Sequence, residues 1–240
     1  MIRHLALSCL AAALLLLPGC VKQEFFITNE QTMGNVIDGR FLSDQGIWYD
    51  VVQEVKAGDA ALLAKESRAL VLCDVLENTS TSAEYSYGVR LKEFIHVDEI
   101  PVLSERPEEE APVLIDLAWA SGAYLNFRLV YMAPEPETKE HAFSVVVEQE
   151  PTDRQEIVLH LYHNAGGEYY GAPLQEGGSG SVEYKQHVRF VSVELLHYYS
   201  SSDKSMNMRY TVKYRWHKKS EDGKTYLPET EINEGSGNLM

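Results

Sequence analysis

The chain has 240 residues, a formal net charge of −15, 45% hydrophobic and 10% aromatic residues, and three cysteines. The acidic balance excludes a nucleic-acid binder, which needs a cationic footprint to displace counterions from phosphate. The apolar content excludes a disordered acidic tail, and so few cysteines exclude a disulfide-stapled scaffold.

The chain opens with Arg3 and His4, followed by Leu5 to Leu17, which is apolar apart from Ser8 and Cys9. That run is short of the roughly 20 residues of a spanning helix, and it fits the apolar region of a signal peptide over 1–19. Leu17-Pro18-Gly19-Cys20 resembles a bacterial lipobox, where cleavage precedes a cysteine that already carries a diacylglyceryl thioether. The chemistry needs a small residue before the cut and a thiol after it, and Gly19 and Cys20 supply both. Pro18 departs from the usual residue at its position. The expectation is a cell-envelope lipoprotein with diacylglycerol and an N-acyl chain such as palmitate on Cys20, and no other cofactor. Val21 is not the aspartate of an inner-membrane retention signal, which favours the outer membrane. Cys9 leaves with the signal, so Cys73 is the one free thiol of the mature chain, and its alternation with Val71 and Val75 marks it as core.

Residues 20–34 read as a lipidated tether. From 35 to 104, short runs rich in Val, Ile, Tyr and Leu predict strands at Trp48–Val52, Ala69–Leu76, Glu84–Lys92 and Phe94–Val97, with a short helix over Ala57–Lys65. Ser104–Pro112 breaks the composition, because two prolines frame three glutamates. Residues 105–112 therefore read as a solvated interdomain linker. From 113 to 217 almost everything predicts strand, ending in a run with Met206, Met208, Tyr210, Val212, Tyr214 and Trp216 on one face. Asn164–Gly180, with six glycines and two tyrosines, is either a flexible binding loop or a spacer. Residues 218–240 read as a polar, loosely ordered tail. The whole is all-β.

Few residues carry chemistry. His160 and His163 are an odd number apart on a strand, so they point to opposite faces and make poor metal co-ligands; His141 or His187 could join one of them across strands. No metal and no catalytic residue is expected. Ser201-Ser202-Asp203-Lys204 has the spacing of penicillin-interacting serine enzymes but lies between strands, where no helical turn sets the lysine beside the serine. Arg209, Lys213 and Arg215 share one strand face, either paired with acids such as Glu148, Glu150 or Glu194, or offered to a partner or an anionic glycan. Trp48, Tyr49, Tyr85 and Tyr87 would form a sugar-stacking platform if they faced out, and would be core if they faced in.

The lipobox, Gly46-Ile-Trp-Tyr-Asp50, Arg68-Ala-Leu-Val-Leu72, Ala123-Tyr-Leu-Asn-Phe127, His141 and Leu159-His-Leu-Tyr-His-Asn164 together resemble the NigD-like lipoproteins of Bacteroides-type bacteria. The resemblance implies an N-terminal OB-like small barrel followed by a C-terminal antiparallel β-sandwich. It also implies a non-catalytic interaction or bacteriocin-immunity role with a protein partner. A cell-surface accessory that captures a glycan or small ligand is the alternative. The membrane, through Cys20, is the other partner expected.

Overall fold

The computed structural model describes residues 25–56, 58–76, 86–150, 156–172, 183–198 and 208–239. The signal peptide, Cys20, Tyr85, the glycine-rich second half of the 164–180 loop and Ser201–Lys204 lie outside the described residues.

The first five strands are β1 (Phe25–Ile37), β2 (Arg40–Ser43), β3 (Trp48–Glu54), β4 (Ser67–Leu76) and β5 (Ser86–Glu99). Asp38 and Gly39, both at positive φ (50° and 76°), join β1 to β2. Two left-handed residues make the tight hairpin whose twist matches its strands, and an Asp-Gly pair is suited to it. β1 pairs antiparallel with both β2 and β4, β4 pairs with β5, and β3 runs parallel to β5. Those pairings close a ring in the order β1-β2-β3-β5-β4, the small OB-like barrel. A 3-10 helix, Asp59–Ala64, follows β3 and sends Leu63 into a core with Val36, Phe41, Tyr49, Val71 and Leu91. Cys73 sits in that core, and burial, with Glu30 and Asp74 nearby, pushes its thiol up to about 12, so it packs and does not react. At Gly34 a Cβ would stand 2.1 Å from the Leu42 carbonyl oxygen, so only glycine fits where β1 crosses β2.

The strands that follow are β6 (Val102–Leu103), β7 (Leu114–Ser121), β8 (Tyr124–Pro134), β9 (Ala142–Gln149), β10 (Glu156–Asn164), β11 (Tyr184–Glu194), β12 (Met208–Lys219) and β13 (Tyr226–Leu239). One layer continues the barrel, because β11 pairs with β5 at Val191↔Asp98 and carries β8 and β7 beside it. The facing layer runs β13-β12-β10-β9-β6, with parallel pairings at β10–β12 and β6–β9 among antiparallel ones. Leu125, Phe127, Leu129, Leu159, Leu161 and Val193 fill the space between the layers.

Three expectations are corrected. The tether does not reach Gly34, because β1 begins at Phe25 and buries Thr32 and Met33. Its composition shows no clean apolar period; the backbone ladder to β4 is what defines it. The acidic 105–112 segment is no solvated hinge. Ala111 and Val113 are buried and donate to the carbonyls of His163 and Arg215 (both 2.8 Å), while Glu109 accepts from the amides of Ala165 and Gly167. The loosely ordered tail is instead largely β13, paired with β12 from Met208↔Leu239 to Lys219↔Tyr226. An edge strand wet on both faces needs no apolar alternation, and Glu229, Glu231 and Glu234 are the charges that guard such an edge.

Candidate functional site

The two domains meet around one arginine. Arg68 enters from β4 with its side chain fully buried, and all five of its N–H groups are used. Nη1 and Nη2 grip Asp44 at 2.9 and 2.6 Å, Nε donates to Ser192 Oγ, and the remaining two donate to Asn35 and Asn126. The guanidinium also lies 3.7 Å from the ring centroid of Tyr124. Ser121 donates to Asp44, and Asn126 donates to Ser121 Oγ and to the Trp119 carbonyl. Barrel residues Asn35, Asp44 and Arg68 are thereby tied to sandwich residues Ser121, Asn126 and Ser192. Fork geometry and complete satisfaction are what make a buried ion pair tolerable.

Beside this lock opens a cleft of about 520 Å³ between the domains. Its apolar lining includes Met33 and Leu70 of the barrel with Trp119 and Phe190 of the sandwich, all part of one small apolar cluster. Gln31, Thr32 and Gln45 line one wall, and Leu117, 54% exposed, stands on the other. Among the described residues of the lining Arg128 is the one ionised group, and it is paired with Asp116. Among the described residues that line the cleft none is a histidine, cysteine or carboxylate, and its polar groups are amides, hydroxyls and one guanidinium.

The residues singled out from sequence do not come together. Tyr49 is buried against Phe41 in the barrel core and Tyr87 packs onto that core, whereas Trp48, on the other face of β3, lies under the Arg40 guanidinium at 4.6 Å. Alternation along β3 thus splits Trp48 from Tyr49, and no sugar platform is built from them. Arg209, Lys213 and Arg215 do not form a free cationic patch either. Lys213 binds Glu148 at 2.8 Å, and Arg215 binds Glu110 at 2.9 Å, while Arg209 is exposed opposite Glu156 in the register. Glu148 also meets Arg106, and His160 bridges Glu110 and Glu148. Donation from Lys213 holds the Glu148 carboxyl below its usual range. At Glu110 burial acts the other way, but His160 and Arg215 prevail and lower it.

His163 turns to the opposite side of β10, into the sandwich, where it meets His141. Its Nδ1 lies 3.1 Å from the Pro112 carbonyl, so that nitrogen carries the proton and Nε2 accepts from His141 Nδ1 at 2.8 Å. His141 stacks on Tyr131 and His163 stacks on Phe143. Burial depresses both imidazoles, His163 to about 3, so the pair is neutral. Sequence reasoning missed the Arg68 lock, whose one signal was a lone arginine in the apolar run of β4.

The chain is therefore a two-domain all-β protein in which an OB-like barrel and a sandwich share one sheet. Residues 100–226 match the family model described as the NigD-like C-terminal beta sandwich domain, and the chain belongs to the NigD-like family. A NigD-like immunity protein from Bacteroides caccae is 17% identical with a TM-score of 0.56, over 88% of this chain and 93% of that one. A protein named as toxin-related, from Parabacteroides distasonis, is 14% identical with a TM-score of 0.53, over 87% and 93%. A protein named as a lipoprotein, from Bacteroides fragilis, is 11% identical with a TM-score of 0.53, over 89% and 99%. At these identities the likeness is one of fold. Comparison with curated proteins finds no match.

Proposed function

We propose that this chain is a non-catalytic, lipid-anchored protein of the cell envelope, of interaction or bacteriocin-immunity type, that holds a protein partner in the cleft between its domains. The observation that carries the reading is the cleft itself, an apolar floor at a domain junction, where ligand sites concentrate. The names of the Bacteroides caccae and Parabacteroides distasonis structures, immunity and toxin-related, support a protein partner. The Bacteroides fragilis neighbour, named as a lipoprotein, supports the anchor on Cys20, and Val21 in place of a retention aspartate favours the outer membrane.

The occupant is a cationic polypeptide segment carrying an apolar side chain. A net charge of −15 draws such a partner in at long range. Gln31, Thr32 and Gln45 then offer the amide and hydroxyl groups that satisfy a peptide backbone, and Trp119 and Phe190 receive the apolar side chain. The reading predicts capture of a basic protein, lost with Leu117→Lys, which puts a like charge on the cleft wall. Retention by the variant, or an acidic captured partner, overturns it. Cys20→Ala should release the chain from membranes, and unchanged membrane retention overturns the anchor.

A further inference from the structure

A second cavity, of about 400 Å³, lies at the sandwich surface where β8, β11 and the β12–β13 turn meet the described part of the glycine-rich loop. Tyr170, Tyr184 and Tyr226 line it, together with Met132, Lys224 and Thr225. The volume falls within the ~300–1,000 Å³ of small-ligand sites.

Its walls are held before any ligand arrives. Tyr170 meets Tyr184 edge-on at 5.7 Å and His217 at 5.3 Å, and its backbone amide donates to the Met132 carbonyl. Tyr226 is braced by Trp216 at 5.2 Å. Gly171 sits so close to Pro228 that a Cβ there would lie 2.9 Å from the proline carbonyl oxygen, which pins the loop to β13. The turn that presents Lys224 and Thr225 is tied internally. Ser220 Oγ and the Lys224 amide both donate to Asp222, and the Thr225 amide donates to Ser220 Oγ. Rings fixed in this way lose little freedom when a ligand binds.

We propose that this tyrosine-lined cavity is a binding site for an acidic saccharide, a short oligosaccharide containing a uronic acid. Half-buried tyrosine faces take the C–H faces of pyranose rings, while the phenol, threonine and lysine groups bond the ring hydroxyls. Lys224 selects the carboxylate, and among the described residues no Asp or Glu lines the cavity in a chain of net charge −15. A cage of three aromatic rings also suits a quaternary ammonium. Here Lys219 already lies 5.7 Å from the Tyr226 centroid and Lys224 shares the cavity, so a second cation is repelled. This inference is separate from partner binding at the domain cleft.

Isothermal titration of the full chain in detergent micelles, with trigalacturonate, the neutral trisaccharide maltotriose and choline, tests it. Trigalacturonate should bind, Tyr184→Ala should abolish binding, and Lys224→Gln should weaken it about fivefold, the effect of one exposed charge pair. Lys224 is exposed, and among the described residues its side chain makes no hydrogen bond or ion pair, so Lys224→Gln should keep the thermal midpoint of the parent. Heat from choline but not trigalacturonate, equal affinity for maltotriose, or trigalacturonate binding untouched by both substitutions overturns the proposal. The Leu117→Lys protein should bind trigalacturonate like the parent, which separates failure here from failure of the cleft.

Discussion

The junction around Arg68 and the outer face of the five-stranded sheet use the same residue types to opposite effect. At the junction, Arg68 and Asp44 are withdrawn from water and every guanidinium N–H is matched. On the outer face, Glu110, Glu148, Lys213, Arg215 and Arg106 form a longer chain of pairs, but Lys213, Arg215 and Arg106 keep a third or more of their side-chain surface in water. The lesson is that the number of ion pairs says little, because the cost of breaking one scales with how completely its partner would be stranded.

Breaking the junction should have the largest effect. Arg68→Ala leaves Asp44, Asn126 and Ser192 without their buried donor and should cost about 3–5 kcal/mol in urea unfolding. Arg68→Lys, with three donors and no fork, should recover only part of it. A loss below about 1 kcal/mol for the alanine variant would make the junction no different from the outer face.

Acid acts elsewhere, through His163. Its folded value near 3 lies below the ordinary value near 6.5, so between those limits the unfolded chain binds a proton that the folded chain does not. Stability therefore rises with pH across that window and is lost as pH falls from about 6.5 toward 3, by up to about 1.4 kcal/mol per pH unit. His141, also depressed by burial, adds in the same direction. Asp74 acts later. Burial would raise its carboxyl, but Lys92, the Asn29 amide and Arg90 hold it at about 2, so its share is lost only as pH drops below about 4. Urea midpoints measured from pH 7 to pH 4 should fall steeply in the parent and less steeply in His163→Leu. Parallel profiles would show that the buried imidazole does not set the slope.

The outer face should respond least. Lys213→Ala should cost under about 0.5 kcal/mol, while Glu110→Gln should cost about 1 kcal/mol because it uncouples both His160 and Arg215. A loss at Lys213 as large as that at Arg68 would erase the contrast between the two regions.

Much of the fold was legible in the chain. Period-two alternation marked β12, where Met208, Tyr210, Val212 and Trp216 are buried. Residues that depend on remote partners were not legible. Gln31 and Thr32 look like tether until β4 supplies their ladder, and Glu110 looks solvated until His160 and Arg215 stand beside it. The candidate sites were less legible still. Strand parity could separate Trp48 from Tyr49, but nothing local shows that Tyr170, Tyr184 and Tyr226 converge, or that Arg68 faces a second domain. Those are facts of topology, set by which strand returns beside which.

The early start of β1 has a consequence for reach. With β1 starting at Phe25, the proposed anchor at Cys20 stands five peptide steps away along the chain, at most about 18 Å. That is shorter than the hydrocarbon core of a bilayer, roughly 30 Å. On the proposed anchor, a barrel attached at that distance would stay close to the headgroups, and whatever it meets would have to come to the membrane surface.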